Sequence, residues 1–415
     1  MAKVKAPLQS FSASGTVAKT FTFKSGANGT SVSVYSKPGS YVKSLPSATQ
    51  AARRNIYSVA SRSWRALYAS TKANFVAAAK PKNLTGFNLF ISNFYKVYPT
   101  NLTSSEWLIR TTPVNNSWFS VEWSPELGLF AAVSNSGRDN RVMTSPDGIN
   151  WTARTTPVDN EWQGITWSPE LGLFAAVAVT GTLNNVMTSP DGINWTIRTT
   201  PNSNALRSIV WAPELGLFVA CALSGSLNRI TTSPDGINWT ARTTPNNNEL
   251  YDITWSPDLR LLVCVAIDGV GNRITTSPDG INWTARVSPL DILWRGVAWS
   301  PQLRCFTAVA SAGIGDRAMT SPDGINWTTR PTPNQNEYFD IIWSQELGLF
   351  AAVAHTGTGT RIITTPNCRD WTVQNSPVDR GWRGIAWAPE LGLFAVVGYL
   401  GQNTRALTSP VFTNP

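Results

Sequence analysis

Seven tryptophans, Trp107, Trp151, Trp195, Trp239, Trp283, Trp327 and Trp371, lie 44 residues apart, and a second series, Trp123, Trp167, Trp211, Trp255, Trp299, Trp343 and Trp387, keeps the same period. No insertion breaks this register over about three quarters of the 415 residues. A period of about 40–50 residues with several short β-rich runs per unit is the pattern of a propeller blade. Seven copies predict a mainly β chain: a closed seven-bladed β-propeller over residues 105–415, each blade four-stranded.

One repeat, WFSVEWSPELGLFAAVSNSGRDNRVMTSPDGINWTARTTP at 118–157, shows how a blade is written. WFSVEW alternates and reads as the first strand, nearest the ring axis. Ser-Pro-Glu-Leu-Gly makes a tight turn, with Pro125 fixing φ and Gly128 permitting a positive one. LFAAV is a short apolar run suited to a strand covered on both faces, RVMTS is the third strand, and NWTART returns after a Ser-Pro-Asp-Gly turn as the outer fourth. The series opens on a fourth strand around Trp107 and ends on a third strand, RALTSP at 405–410. The simplest closure therefore sets residues 105–113 beside Arg405–Pro410, leaving no dangling edge.

The segment TSPDGINW, at 144–151, 188–195, 232–239, 276–283 and 320–327, resembles the Asp-box of sialidase-like and BNR-repeat propellers, shortened by one residue between Asp and Gly. The resemblance implies a structural turn in which Asp147, Asp191, Asp235, Asp279 and Asp323 tie down backbone amides and the tryptophan packs against the next blade. The sixth copy, TTPNCRDW at 364–371, has lost the Asp-Gly pair.

Turn order puts the two nearly invariant turns on one face of the ring and the loops that vary between copies on the other. Divergence confined to one face of a repeated scaffold marks it as a candidate recognition surface, although drift on an unused face would look the same. Trp118, Trp162, Leu206, Leu250, Trp294, Tyr338 and Trp382 are always large and read as a layer between blades. The next position carries Phe119, Gln163, Arg207, Tyr251, Arg295, Phe339 and Arg383, a mixed set that no core layer would be expected to accept. Aromatic faces beside guanidinium groups suit stacking against sugars and pairing with acidic groups, so these seven are the candidate ligand-binding residues.

Charge divides the chain. Of 34 basic residues 14 precede position 97, and the first acidic residue is Glu106; the remaining 20 are all Arg, against 25 acids. Residues 1–97 are thus read as a basic α+β domain and 98–104 as a linker. Such a head would be drawn to nucleic acid, an anionic membrane or an acidic protein lattice. FSASGTVAKTFTFKSG and TSVSVYSKPG read as short strands, Ser47-Ala-Thr-Gln50 as a capping box, and Ile56, Val59, Ala60, Trp64 and Leu67 as one helical stripe. Ser70 is placed as the cap of a second short helix. The four cysteines lack metal-ligand spacing and suggest no disulfide framework. No uninterrupted apolar stretch opens the chain and none reaches 18 residues, so neither a secretory signal nor a membrane span is expected.

Trp64-Arg-Ala-Leu67, Phe75-Val-Ala-Ala-Ala79 and Gly86-Phe-Asn88-Leu-Phe90, preceded by Gly-rich strands, resemble a domain of tailed-phage virion structural proteins, with Phe75 where Trp is commoner. That resemblance covers about a quarter of the chain and implies a head docked on a particle with the propeller projecting outward; by their charge Arg53, Arg54, Arg62 and Arg65 are the docking candidates. Nucleic acid is the less favoured partner of that head, because Trp64 belongs to the apolar stripe. Catalysis is disfavoured as well. A sialidase-like hydrolase needs a Tyr/Glu pair with an Asp beside its arginines, and nearly identical blades do not suggest one asymmetric site. His355 is read as solvent-facing and without a partner. The reading is a non-enzymatic virion surface protein, a capsid or tail decoration oligomeric through particle symmetry. It would contact capsid or tail proteins and display the propeller to cell-surface glycans, with no metal or cofactor.

Overall fold

The computed structural model describes residues 106–410 apart from 314, the strands at 21–26 and 29–34, and residues 76, 80, 84, 85, 87 and 88. Residues 104–412 form one compact unit, and the residues before 104 belong to another. In the earlier unit, Phe21–Gly26 and Gly29–Val34 pair as an antiparallel hairpin, with Phe21 opposite Val34. Residues 87 and 88 are helical, and Thr85 Oγ1 accepts the Asn88 amide at 3.0 Å, in the manner of an N-cap. The docking candidates Arg53, Arg54, Arg62 and Arg65, the capping box at 47–50 and the expected cap at Ser70 lie outside the described residues.

The larger unit is a seven-bladed propeller of four-stranded antiparallel sheets. In the first blade the strands are Trp118–Ser124, Leu129–Ser134, Val142–Ser145 and Thr152–Arg154, paired in that order. The seventh blade takes Trp382–Ala388, Leu393–Gly398 and Ala406–Thr408 from the chain end and Leu108–Arg110 from the start of the ring. There Ile109 lies opposite Leu407, and Trp107 is buried against Phe394 with ring centroids 6.2 Å apart.

The core lies between blades. Ala131, Val133 and Val142 of the first blade pack with Trp162, Ile165, Phe174 and Trp195 of the second, and equivalent clusters recur around the ring. The second strands are almost wholly apolar, LFAAVS and LFAAVA in the first two blades, because both their faces are covered. Trp118, Trp162, Trp294, Tyr338 and Trp382 are fully buried in this layer.

The turn face is built from hydrogen bonds. Asp235 Oδ1 accepts the amides of Ile237 and Asn238, each at 2.8 Å, and its Oδ2 accepts Asn238 Nδ2 at 2.7 Å. The turns at Asp147, Asp191, Asp279 and Asp323 repeat this geometry. The box tryptophan does not face the next blade. Trp195 and Trp151 lie in the clusters shared with the preceding blade, because the turn itself sits there: a Cβ on Gly148 would come 3.4 Å from Leu393 of the seventh blade.

The sixth copy keeps the turn by exchanging partners. Asn367 Oδ1 accepts the amides of Arg369 and Asp370 at 3.0 and 2.9 Å, and Asn367 Nδ2 donates to Asp370 Oδ2 at 2.8 Å. A second belt on this face joins neighbours: Trp167 Nε1 donates to Glu126 Oε2 and Trp211 Nε1 to Glu170 Oε2, both at 2.6 Å. The ring closes the belt through Trp123 and Glu390 at 2.7 Å. Among the described residues, no helix is long and apolar enough to cross a membrane.

Candidate functional site

Every inner strand carries a β-bulge at the same place. Trp118 pairs with Ser134 and Ser120 with Val133, so Phe119 has no partner, and the irregularity recurs at Gln163, Arg207, Tyr251, Arg295, Phe339 and Arg383. A bulge re-aims a side chain out of the alternation of its strand. Seven bulges at the variable-face end of the inner strands form one ring of side chains around the axis.

Cations and arenes alternate within that ring. The guanidinium of Arg207 lies 4.1 Å from the centroid of Tyr251, and Arg295 lies 4.3 Å from Tyr251 and 4.9 Å from Phe339. Arg383 lies 3.7 Å from Phe339 and 5.3 Å from Phe119. Strict alternation cannot close on an odd number of blades. Gln163 occupies the leftover place, and Arg207 reaches past it to Phe119 at 5.9 Å while donating to the Gln163 carbonyl at 3.2 Å.

Much of the ring is buried. Arg207 is only 6% exposed, and Gln163, Tyr251 and Phe339 are buried too, so the mixed set forms an internal layer as well as a mouth. Burial of a guanidinium is tolerated because aromatic faces on both sides offset part of its lost hydration, by about 0.5–2 kcal/mol per contact. Among the described residues, ion pairs join Arg138–Asp139, Arg141–Asp159, Arg273–Asp291 and Arg361–Asp379; the three axial arginines are in none of them. The Nε atoms of Arg207 and Arg383 are buried without a hydrogen-bond partner.

Beneath the arginines lie acids. Asp252 accepts the Ser208 hydroxyl at 2.7 Å and the Val297 amide of the next inner strand at 2.8 Å. Asp340 accepts the amides of Ile341 and Ile385 at 2.8 and 2.9 Å. Burial raises both carboxyls, and for Asp340 the nearby Asp252 charge raises it further. Deeper still, burial pushes Glu122 up to about 7, against the Trp123 amide that it accepts at 3.1 Å. Burial would raise the Tyr251 phenol, but Arg207, Arg295 and Arg383 outweigh it and the net shift is downward.

The inner strands approach so closely here that a Cβ on Gly384 would stand 2.8 Å from Ser120 Cα. The remaining space is ≈ 50 Å³, room for water but far below the roughly 300–1,000 Å³ of small-molecule pockets. Each of the four oxygens of Asp252 and Asp340 is already engaged. Among the described residues, no three His, Cys, Asp or Glu side chains converge as a metal site.

The mouth above this ring is formed by the first residues of the variable loops, among which the sequence reading named only His355, and not as part of a site. Ser311 Oγ accepts from Arg295 Nε at 2.7 Å, and Tyr399 lies under Arg383 at 4.8 Å. His355 is not a lone solvent-facing side chain: its ring stacks on Tyr399 at 5.1 Å, and the Tyr399 hydroxyl lies 2.9 Å from Nε2. Burial, with the Arg383 charge, lowers its pKa. The equivalent places in the second, third and fourth blades hold Val179, Leu223 and Ile267, so one side of the mouth is apolar and the other polar and aromatic. The loops themselves are pinned. Arg141 donates from Nε to Gly137 O and from Nη1 to Asn135 O, and Asn116 Nδ2 donates to Asn140 O at 2.9 Å.

The fold and its axial ring define the class: a seven-bladed β-propeller with an amphipathic mouth on its variable face. Among solved structures it is similar to a streptogramin B lyase (TM-score 0.61, 12% identity, 73% of this chain and 96% of that one). It is also similar to YCF48 bound to a D1 peptide (0.56, 15%, 74% and 96%) and to a chain of a mitotic checkpoint complex (0.56, 14%, 75% and 96%). No protein-family model and no curated protein matches the sequence. At these identities the likeness concerns the fold, and the roles of the neighbours are varied.

Proposed function

We propose that the protein is a non-enzymatic recognition module that takes up an acidic group, carried by a sugar or a protein side chain, at the axial mouth of its variable face. The observation that carries this reading is the pair of part-exposed axial guanidiniums, Arg295 and Arg383, set against arenes and outside the ion pairs of the described residues. Fixed cations with aromatic flanks are complementary to a carboxylate or sulfate whose carrier stacks beside it. Recognition is favoured over catalysis because the buried acids already serve the backbone and the interior admits little more than water. A propeller of this shape bound to a peptide, as in YCF48, is in keeping with such a platform.

Binding of the full chain to arrays of acidic and neutral glycans and peptides tests the reading. Arg295→Ala and Arg383→Ala should each weaken capture of acid-bearing ligands about tenfold to a hundredfold, the worth of a charge-assisted hydrogen bond. Equal capture of acidic and neutral ligands, unchanged by either substitution, would overturn it.

The basic unit before residue 104 supplies the anchor in this reading, and the motifs at 64–67, 75–79 and 86–90 support a tailed-phage virion, capsid or tail, as the particle. The full chain should co-sediment with such particles after nuclease treatment at about 1 M salt, where the Debye length is about 3 Å. Release by nuclease would favour a nucleic-acid-binding head instead.

A further inference from the structure

The four cysteines are not scattered; they form two pairs, each across a blade interface. Cys221 and Cys264 share the cluster between the third and fourth blades and are fully buried. Cys305 of the fifth blade packs on Cys368 of the sixth at the edge of the next-but-one interface, and Cys305 is partly exposed.

The second pair is a coordinated departure from the repeat. The residue equivalent to Cys305 is Leu in the six other blades, and the residue equivalent to Cys368 is Gly in all five SPDG turns. Those two positions touch at the sibling interfaces. A Cβ on Gly236 would lie 2.8 Å from Leu173 Cδ2, and one on Gly324 would lie 2.7 Å from Leu261 Cδ2. At this one interface the leucine has shortened and the glycine has gained a side chain, although Cys368 must hold φ +62° to do so. The Cβ of residue 368 is thereby set against the side chain leaving residue 305, the approach that a disulfide between them would need.

We propose that Cys305 and Cys368 are a redox-active dithiol that closes into a disulfide stapling the fifth blade to the sixth. The Cys368 thiol beside it lowers the pKa of Cys305, whereas Cys368 is pushed up by Cys305 and by burial, so the partly exposed Cys305 is the attacking thiolate. It attacks a disulfide oxidant such as oxidised glutathione and expels one thiolate. Cys368 then gives up its proton, attacks the mixed disulfide at Cys305 Sγ and expels glutathione. Two electrons and two protons pass from the protein, and one oxidant disulfide becomes two thiols.

Non-reducing peptide mapping of the full chain after incubation in oxidised glutathione, with alkylation of free thiols, tests the pairing. The expected product is a Cys305–Cys368 linked peptide with Cys221 and Cys264 alkylated. The oxidised protein should also melt above the reduced one, because the bridge constrains the unfolded chain. The double variant Cys305→Leu, Cys368→Gly restores the sibling contact and should fold with a melting temperature indifferent to glutathione. Alkylation of both residues after oxidation, a stable glutathione adduct on Cys305 alone, or equal melting of the two redox forms would overturn the proposal.

Discussion

The carboxylate of Asp235 accepts two backbone amides and a side-chain amide within three residues of itself, and that local geometry fixes its titration. Its burial would raise the pKa, but the amide of Asn238, the Asn238 side chain, the Ile237 amide and the Ser233 hydroxyl outweigh this and hold it at about 2. Asp191, Asp279 and Asp323 are held at about 2 by the same contacts. A folded pKa below the ordinary 3.8 means that the stability these groups contribute is full above about pH 4 and is lost as pH falls towards 2. Asn367 makes the same two backbone contacts without an ionisable group and so shows what substitution would do. Asp235→Asn should therefore fold at neutral pH and show a shallower fall in melting temperature between pH 4 and pH 2 than the parent. A parallel pair of pH profiles would mean that the turn carboxylates do not govern acid unfolding.

Within a strand or turn, the blade was open to reading because its signals are local: the alternation of WFSVEW, the unbroken run LFAAV and the Pro and Gly of the turns each act over a few residues. The bulge at Phe119 was not, since a strand with an extra residue keeps the same letters and only its partner reveals the slip from Ser134 to Val133. Position 119 and its equivalents stood out by composition, yet that composition suggested a surface, and the alternation of cations with arenes that lets Arg207 be buried depends on three-dimensional neighbours. Contacts between elements of different blades were hidden for the same reason. Glu126 reads as one more turn residue until Trp167 is placed over it, His355 has no partner until Tyr399 of the next blade arrives, and Asp370 looks like the loss of a motif until Asn367 is seen to have exchanged roles with it. The box tryptophan went to the wrong neighbour because the repeat period says that blades touch but not which side of the sheet a turn leans on.

Across the whole ring, identical blades create a problem of ends that a single blade does not have. Seven repeats stacked in order would leave the first blade and the last blade with one uncovered flank each, and the last sheet one strand short. The chain answers with a permutation: Leu108–Arg110, first in sequence, is last in the seventh sheet, so one sheet holds both ends of the propeller. The closing segment contributes more than its three pairs. Trp107 is 1% exposed among Leu347, Leu349 and Ile362 of the sixth blade and Trp382 and Phe394 of the seventh, so it staples that interface at the point where the chain is discontinuous. A buried tryptophan truncated to alanine costs about 3–5 kcal/mol, and loss of the strand as well would bare the Ala406–Thr408 edge to other molecules. Trp107→Ala should therefore lower the melting temperature while leaving a single cooperative transition, whereas deletion of residues 104–113 should broaden the transition and raise light scattering on heating. Trp283→Ala offers the comparison, since its box is held at both ends by continuous chain. If the deletion melts like the parent, the ring does not depend on this strand and the seventh blade is held by its three remaining strands alone; if it melts lower without any gain in scattering, the strand stabilises the ring but the bared Ala406–Thr408 edge does not recruit other molecules.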